Sequence, residues 1–162
     1  MFDFNEERAV TACFTGHRPP KCSESDPLLR QAIGNAIDAA LKDGFTVFMG
    51  GMALGADTLF AEEVLKRRAG GAPLRFVAAI PCETQDARWS AAQQRHYRQL
   101  LAQADTVVVM CERYEPYCMN ARNRYMVDPC DLLVAYCHKP TGGTAYTVDY
   151  AKEQGKKIIN LF

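Results

Sequence analysis

Two glycine-rich segments contain the residues best suited to hold a phosphate group. One is Thr141-Gly142-Gly143-Thr144, in which two glycines lie between two hydroxyl side chains. Glycine lets a backbone approach a phosphate closely, and a helix that follows would present free N–H groups and a partial positive charge. The threonines would add hydroxyl donors. We therefore predict phosphate binding here, although a tight turn that only begins a helix would use the same residues.

The second segment is residues 50–57, Gly-Gly-Met-Ala-Leu-Gly-Ala-Asp. Its spacing matches neither the dinucleotide fingerprint GxGxxG nor a loop ending in Gly-Lys-Ser/Thr, so alone it is a weak signal. Gly50, Gly51 and Gly55 are candidate ligand contacts, but Gly51 and Gly55 would equally serve close packing of a strand on a helix. Asp57 is a further candidate contact, with stabilisation of a helix N-terminus as its alternative role.

A third segment is Thr15-Gly16-His17-Arg18. One residue too few separates Cys13 from Arg18 for the loop of a cysteine phosphatase, so that chemistry is excluded. Arg18 could still pair with a phosphate, and His17 is the histidine best placed for acid–base work. The alternatives are a solvated arginine and a histidine that only makes structural hydrogen bonds.

Four further residues are candidates for contacts with the rest of a ligand. Arg122 and Asn123 fall at the start of a short predicted helix, where one arginine can face a cleft. Gln85 has the chemistry to contact a base edge or a ribose hydroxyl. Trp89, the single tryptophan, could stack on a base or simply pack in the core.

These segments need elements that bring them together, and six short apolar runs alternate with helical patterns along the chain. The runs cover residues 10–15, 46–49, 74–80, 106–111, 132–137 and 157–162, and the helical patterns cover 27–43, 56–68, 90–104, 119–127 and 144–154. Most runs are continuously apolar, which is typical of strands buried on both faces. The order predicts an α/β fold, a doubly wound, mostly parallel six-stranded Rossmann-like sheet with helices on both faces, in a single domain over residues 1–162. In such sheets ligands bind beyond the carboxyl ends of the strands, where all three segments fall.

Composition excludes several classes of function. The chain has 162 residues with 19 Lys+Arg and 19 Asp+Glu, so binding to nucleic acid or a membrane by net charge alone is disfavoured. Seven cysteines without a CxxC pair argue against structural zinc, and we predict no metal site. The start, Met1 to Arg8, lacks a signal peptide, and no apolar run approaches the ~20 residues of a membrane span. We therefore expect a cytoplasmic protein with reduced thiols and no membrane partner. Cys82, placed in a loop at the edge of the predicted site, is the cysteine to test for reactivity.

Taken in order, these motifs resemble the bacterial YpsA-like proteins of the SLOG superfamily over nearly the whole chain, from about residue 10. The resemblance implies a Rossmann-like nucleotide-binding domain with DprA, which binds single-stranded DNA, and the LOG phosphoribohydrolases as relatives. LOG enzymes pair an arginine with a glutamate in two motifs, and here Arg122 matches the arginine while Asp149 stands at the glutamate position. Those two residues are the catalytic candidates that the resemblance supplies. Several motif residues differ, and Asp is a methylene shorter than Glu.

The leading hypothesis is a domain that binds a nucleotide or a derivative resembling NAD or ADP-ribose, with a role as a sensor. We assign no cofactor other than such a nucleotide ligand. The alternative is an N-glycosidic-bond hydrolase of the LOG type, in which Arg122 holds substrate and Asp149 activates water or stabilises positive charge. A third hypothesis is single-stranded nucleic-acid binding as in DprA, which the zero net charge disfavours. Self-association into a homo-oligomer is also compatible with the apolar helix positions.

Overall fold

The computed structural model describes residues 10–162, so the predictions for Met1 to Arg8 lie outside the described residues. Six strands alternate with five helices. The strands are β1 (Thr11–Gly16), β2 (Val47–Gly50), β3 (Arg75–Cys82), β4 (Thr106–Cys111), β5 (Leu132–Tyr136) and β6 (Lys157–Asn160). The helices are α1 (Pro27–Lys42), α2 (Ala56–Ala69), α3 (Ala91–Ala102), α4 (Cys118–Val127) and α5 (Gly143–Glu153).

The strands form one sheet in the order β4-β3-β2-β1-β5-β6, and every pair is parallel. The chain builds outward from β1 to β4 and then returns to place β5 on the other side of β1. The strand order therefore reverses between β1 and β5, and a crevice opens there at the carboxyl ends. The α/β prediction and the Rossmann-like arrangement are confirmed.

Helices cover both faces of the sheet and create two separate cores. On one face α1, α2 and α3 pack over aromatic side chains, and the rings of Phe14 and Phe60 stack with centroids 4.8 Å apart. On the other face α4 and α5 pack over smaller residues such as Met49 and Leu133. The prediction that the apolar runs are buried on both faces holds for the central strands. It is wrong for the two edge strands, because each has a neighbour on one side only: β6 is exposed or half-buried throughout, and β4 is buried only at Val108.

Local signals set the helix ends close to the predicted positions. Asp26 accepts hydrogen bonds from two backbone N–H groups at the start of α1. Ser90 and Gln93 form a reciprocal capping box at the start of α3, so the predicted Ser90 N-cap is confirmed. Gly44 follows α1 with φ of +93°, the conformation that favours glycine after a helix.

The cysteines depart from the sequence prediction. Cys111 forms a disulfide with Cys118 at the start of α4, so the prediction of reduced thiols is wrong for this pair. Cys82 is not in a loop, because β3 continues through it and pairs it with Cys111 of β4. It is only 2% exposed, which removes the reason for singling it out as a reactive thiol.

Residues 10–162 contain no cluster of three or more His, Cys, Asp or Glu side chains placed to hold a metal ion. In the same part of the chain, every helix is too short or too polar to cross a bilayer.

Candidate functional site

A cavity of about 360 Å³ opens at the reversal of strand order, which is within the size range of small-molecule sites. Its walls come from the segments after β1 and β5, from the first turns of α2 and α5, and from one side of α4 along most of its length. Eleven residues singled out from the sequence line it: Thr15, Gly16, His17, Arg18, Asp57, Arg122, Asn123, Thr141, Gly142, Gly143 and Thr144. The fold thus gathers residues that are far apart in the chain around one space.

Other predicted residues lie elsewhere. Gly50, at the end of β2, and Gly51 and Gly55 are buried behind the cavity wall and act in packing. Gln85 and Trp89 lie on the far side of residues 52–55. Asp149 is exposed on α5 and does not line the cavity.

The segment before α5 has the geometry of a helix N-terminus open to the cavity. Gly142 is the residue before the helix, with φ of +99° and no side chain to cap the first turn. The first intrahelical bond is donated by Tyr146 to the Gly142 carbonyl. The N–H groups of Gly143 and Thr144 therefore have no acceptor within the helix and can serve an anion in the cavity.

Arg122 is the most deeply buried cation of the site, at 4% exposure. Its Nη1 donates to the Gly51 carbonyl oxygen at 2.7 Å and more weakly to that of Ala79 at 3.4 Å. Its Nε donates to Oδ1 of Asn123 at 2.8 Å. Burial lowers the pKa of Arg122 and the nearby Asp57 carboxylate opposes that shift. A fixed positive charge is therefore held at the inner end of the cavity.

Asp57 belongs to the first turn of α2, lies beside Arg122 of α4 and is 6% exposed. Its Oδ2 accepts a hydrogen bond from the Ala53 N–H at 3.1 Å, while its Oδ1 is buried without a partner among the described residues. Burial raises the pKa of Asp57 to about 6, against the opposing effect of the Arg122 charge. An ionised carboxylate with an unmet acceptor thus faces the cavity near neutral pH.

His17 is held in one orientation by the backbone of the β5–α5 segment. Its Nε2 accepts the His138 N–H at 2.9 Å, which places the ring proton on Nδ1. Burial, followed by the charges of His138 and two nearby lysines, lowers the pKa of His17 to about 4. The ring is therefore a neutral hydrogen-bonding group at physiological pH, rather than a source of positive charge.

This assignment predicts the sign of a pH effect. The folded pKa of His17 is lower than its ordinary 6.5, so its contribution to stability is complete above pH 6.5 and is lost as pH falls through about 4. We expect the His17 ring signals in an NMR titration to move near pH 4. His17→Gln, which keeps an acceptor for the His138 N–H, should lose less stability on acidification than the wild type. A His17 midpoint near 6.5 would contradict the assignment.

Charge at the cavity mouth comes from exposed Arg18 and from Lys21, which also lines the space. Lys21 is not among the residues predicted from the sequence, although its position just after the Thr15–Arg18 segment and two prolines could have indicated that it lies at the site. Met119 and Met126 of α4 also line the cavity and were not predicted, because only the helix geometry shows which side chains face it.

Gln85 and Trp89 do not line the cavity between the ends of β1 and β5. Gln85 Nε2 donates to the carbonyl oxygens of Gly51 and Met52, each at 3.4 Å, and so supports residues 51–52 from behind. Trp89 packs edge-on against Tyr97, with centroids 5.0 Å apart, at a mostly apolar cavity of about 210 Å³. Both residues are thus separated from the segment before α5 by residues 52–55.

Two solved structures with the same fold are DNA processing proteins. DprA from Streptococcus pneumoniae superposes with a TM-score of 0.70 at 21% identity, covering 93% of this chain and 50% of that one, so this chain spans about half the length of that DprA. DprA from Helicobacter pylori, described for its single-stranded DNA binding mode, has a TM-score of 0.67 at 16% identity, covering 95% of this chain and 66% of that one. At these identities the likeness concerns the fold alone.

Sequence comparison identifies the family. UPF0398 protein ABC2016 of Shouchella clausii is 30% identical over 130 residues, which is 76% of this chain and 68% of that protein. UPF0398 protein BH1768 of Halalkalibacterium halodurans is 28% identical over 129 residues, or 78% and 68%. A family model described as the YspA SLOG family matches residues 12–160. With the fold and nearly the entire chain matched, this protein belongs to the YspA SLOG family.

Proposed function

We propose that this protein binds a phosphorylated nucleotide or nucleotide derivative in the cavity between the ends of β1 and β5. The observation that carries the proposal is the open N-terminus of α5, whose Gly143 and Thr144 N–H groups meet the cavity beside Thr141. Backbone donors and a helix dipole are the usual means of holding a phosphate. Arg18 and Lys21 at the mouth add charge that attracts an anion.

The distribution of polarity favours a ligand with two unlike ends. The α5 end offers free backbone donors, whereas Asp57 offers an acceptor at the inner wall. A bare phosphate held at α5 would leave that acceptor without a donor, and a purely apolar ligand would use neither end. A sugar phosphate or nucleotide satisfies both.

The geometry does not favour the hydrolase alternative. Asp149, which would activate water, is exposed and outside the cavity, so Arg122 has no acidic catalytic partner from α5. The proposal therefore concerns binding.

A matched pair of substitutions at Gly143 tests the proposal. A Cβ at Gly143 would lie 4.0 Å from Asn123 Nδ2, which is ordinary contact, so either Asp or Asn fits without disturbing the fold. Gly143→Asp puts a negative charge where the phosphate would lie, and calorimetry against ADP, ADP-ribose and NAD should show binding reduced at least about 100-fold. Gly143→Asn, of the same shape, should lose much less.

Three outcomes would contradict the proposal. One is that no nucleotide binds the wild type. Another is that Gly143→Asp and Gly143→Asn bind equally well. The third is that a single-stranded oligonucleotide binds far more tightly than every mononucleotide tested, which would instead favour nucleic-acid binding.

A further inference from the structure

The hydrogen bonds around Asp57 leave one acceptor for a ligand. Three neighbouring donor atoms bond elsewhere. Arg122 Nη1 and Nε donate to the Gly51 carbonyl and to Asn123, and the Thr58 hydroxyl donates to the Ala53 carbonyl at 3.0 Å. The Ala53 N–H is taken up by Oδ2. Oδ1 is therefore left with no donor from the described residues.

An acceptor buried without a donor lowers the stability of the folded state, so its presence calls for an explanation. Burying an ionised carboxylate oxygen without a donor destabilises the folded state. Stabilisation of the α2 N-terminus does not require such deep burial, since an exposed Asp or Ser would serve the helix equally well. A donor brought into the cavity by a ligand would meet the requirement.

The position of Asp57 limits which part of the ligand supplies that donor. A short series of touching side chains joins it to the start of α5. Gly143 adjoins Asn123, Asn123 accepts from Arg122, and both the Arg122 guanidinium and Asp57 Oδ2 would lie within 3.0 Å of a Cβ at Gly51. Asp57 and the start of α5 both line the cavity, so a ligand whose phosphate is held at α5 can present its attached group to Asp57. In a 5-phosphorylated pentose the nearest O–H donors are the ring hydroxyls.

We propose that Asp57 accepts a hydrogen bond from the 2-hydroxyl of a ribose and thereby selects ribose over 2-deoxyribose ligands. This inference rests on the proposed function, because it assumes that the phosphate is held at α5. It assigns the inner wall of the cavity to the sugar. The base then extends toward the cavity mouth.

Calorimetry with sugar phosphates tests the proposal without any contribution from a base. Wild-type protein should bind ribose 5-phosphate about 10–100-fold more tightly than 2-deoxyribose 5-phosphate, which is the usual value of one hydrogen bond to a buried charged group. ADP should exceed 2′-deoxy-ADP by a similar factor, whereas 3′-deoxy-ADP, which keeps the 2′-hydroxyl, should bind like ADP. ADP and inosine 5′-diphosphate, which differ in a base amino group, should bind alike.

Asp57→Asn supplies the matched variant. Its single amide oxygen still accepts from the Ala53 N–H, and its NH₂ group then replaces Oδ1, so the preference for ribose should disappear. Asp86→Asn is the control, because Asp86 is equally buried at 5% exposure but does not line the cavity, and it should keep the preference. Thermal unfolding establishes that each variant is folded.

The outcomes separate the two proposals. If no phosphorylated ligand binds, the proposed function fails and this inference with it. If ligands bind with ribose and deoxyribose forms equal, binding stands and the role of Asp57 is overturned. Discrimination by the base amino group that Asp57→Asn abolishes would also overturn it. Should Asp57→Asn not fold, equal binding of ribose and 2-deoxyribose ligands by the wild type would still overturn the role of Asp57.

Discussion

Arg122→Ala is expected to lower the free energy of unfolding by about 3–5 kcal/mol at pH 7, because it leaves Asp57 as a buried charge without a counter-charge. The change also removes the donor to the Gly51 carbonyl. Denaturant unfolding followed by circular dichroism measures the loss. Arg124→Ala is the control. Arg124 is half-buried and donates one hydrogen bond to the Tyr146 hydroxyl at 2.8 Å, so we expect its loss to lower the free energy of unfolding by about 1 kcal/mol.

The pH dependence gives this prediction a sign. The folded pKa of Asp57 is raised from 3.8 to about 6, so the folded state holds a proton that the unfolded state releases. Stability from this group is complete below about pH 4 and is lost as pH rises through about 6. The deficit of Arg122→Ala should therefore shrink toward pH 4. Asp57→Asn in the same chain should recover about 1–3 kcal/mol at pH 7. A loss under 1 kcal/mol for Arg122→Ala would contradict the pairing.

Gly55→Ala is expected to be at least as damaging and to abolish ligand binding. Gly55 has φ of +89° and ψ of −126°, a region that is essentially restricted to glycine. A Cβ there would lie 2.7 Å from both the Cys22 Sγ and the His17 carbonyl oxygen, and 3.0 Å from the Arg18 Cα. Backbone atoms cannot move aside cheaply, so strain and overlap together should cost more than about 3 kcal/mol.

Gly71→Ala separates the cost of backbone strain from the cost of steric overlap. Gly71 has φ of +100°, but a Cβ there would meet nothing within 4 Å. It therefore reports the conformational cost alone, about 1–2 kcal/mol, and leaves the cavity unchanged. Denaturant unfolding and nucleotide calorimetry on both variants provide the measurement. Equal losses at the two glycines would show that close contact between the residue 50–57 segment and the Thr15–Arg18 segment is unimportant.

The sequence was informative where local physics decides the structure. Continuous apolar runs placed the six strands, and residues such as Ser90 and Gly44 marked helix ends through hydrogen bonds to their own neighbours. The site location followed from the rule that ligands bind at the carboxyl ends of a doubly wound sheet. The segments after β1 and β5 were selected for that reason.

Long-range packing was not accessible from the sequence. Arg122 donates to a carbonyl 71 residues earlier, so neither its burial nor the unmet Oδ1 of Asp57 has a local signal. Gln85 and Trp89 have the side-chain chemistry to contact a nucleotide, but the path of residues 52–55 places them elsewhere. Cys82 looked like a loop residue because Pro81 precedes it, while pairing with β4 extends β3 through both.

Arg122 also links two parts of the molecule that the sheet separates. It belongs to α4 on one face, yet it bonds to the backbone after β2 and lies beside Asp57 of α2, which packs on the other face. Local opening of α4 would withdraw the Arg122 charge and leave the buried Asp57 carboxylate without a neighbouring positive charge. The two helical layers should therefore open together in native-state hydrogen exchange, as one cooperative unit whose amides share a common protection free energy.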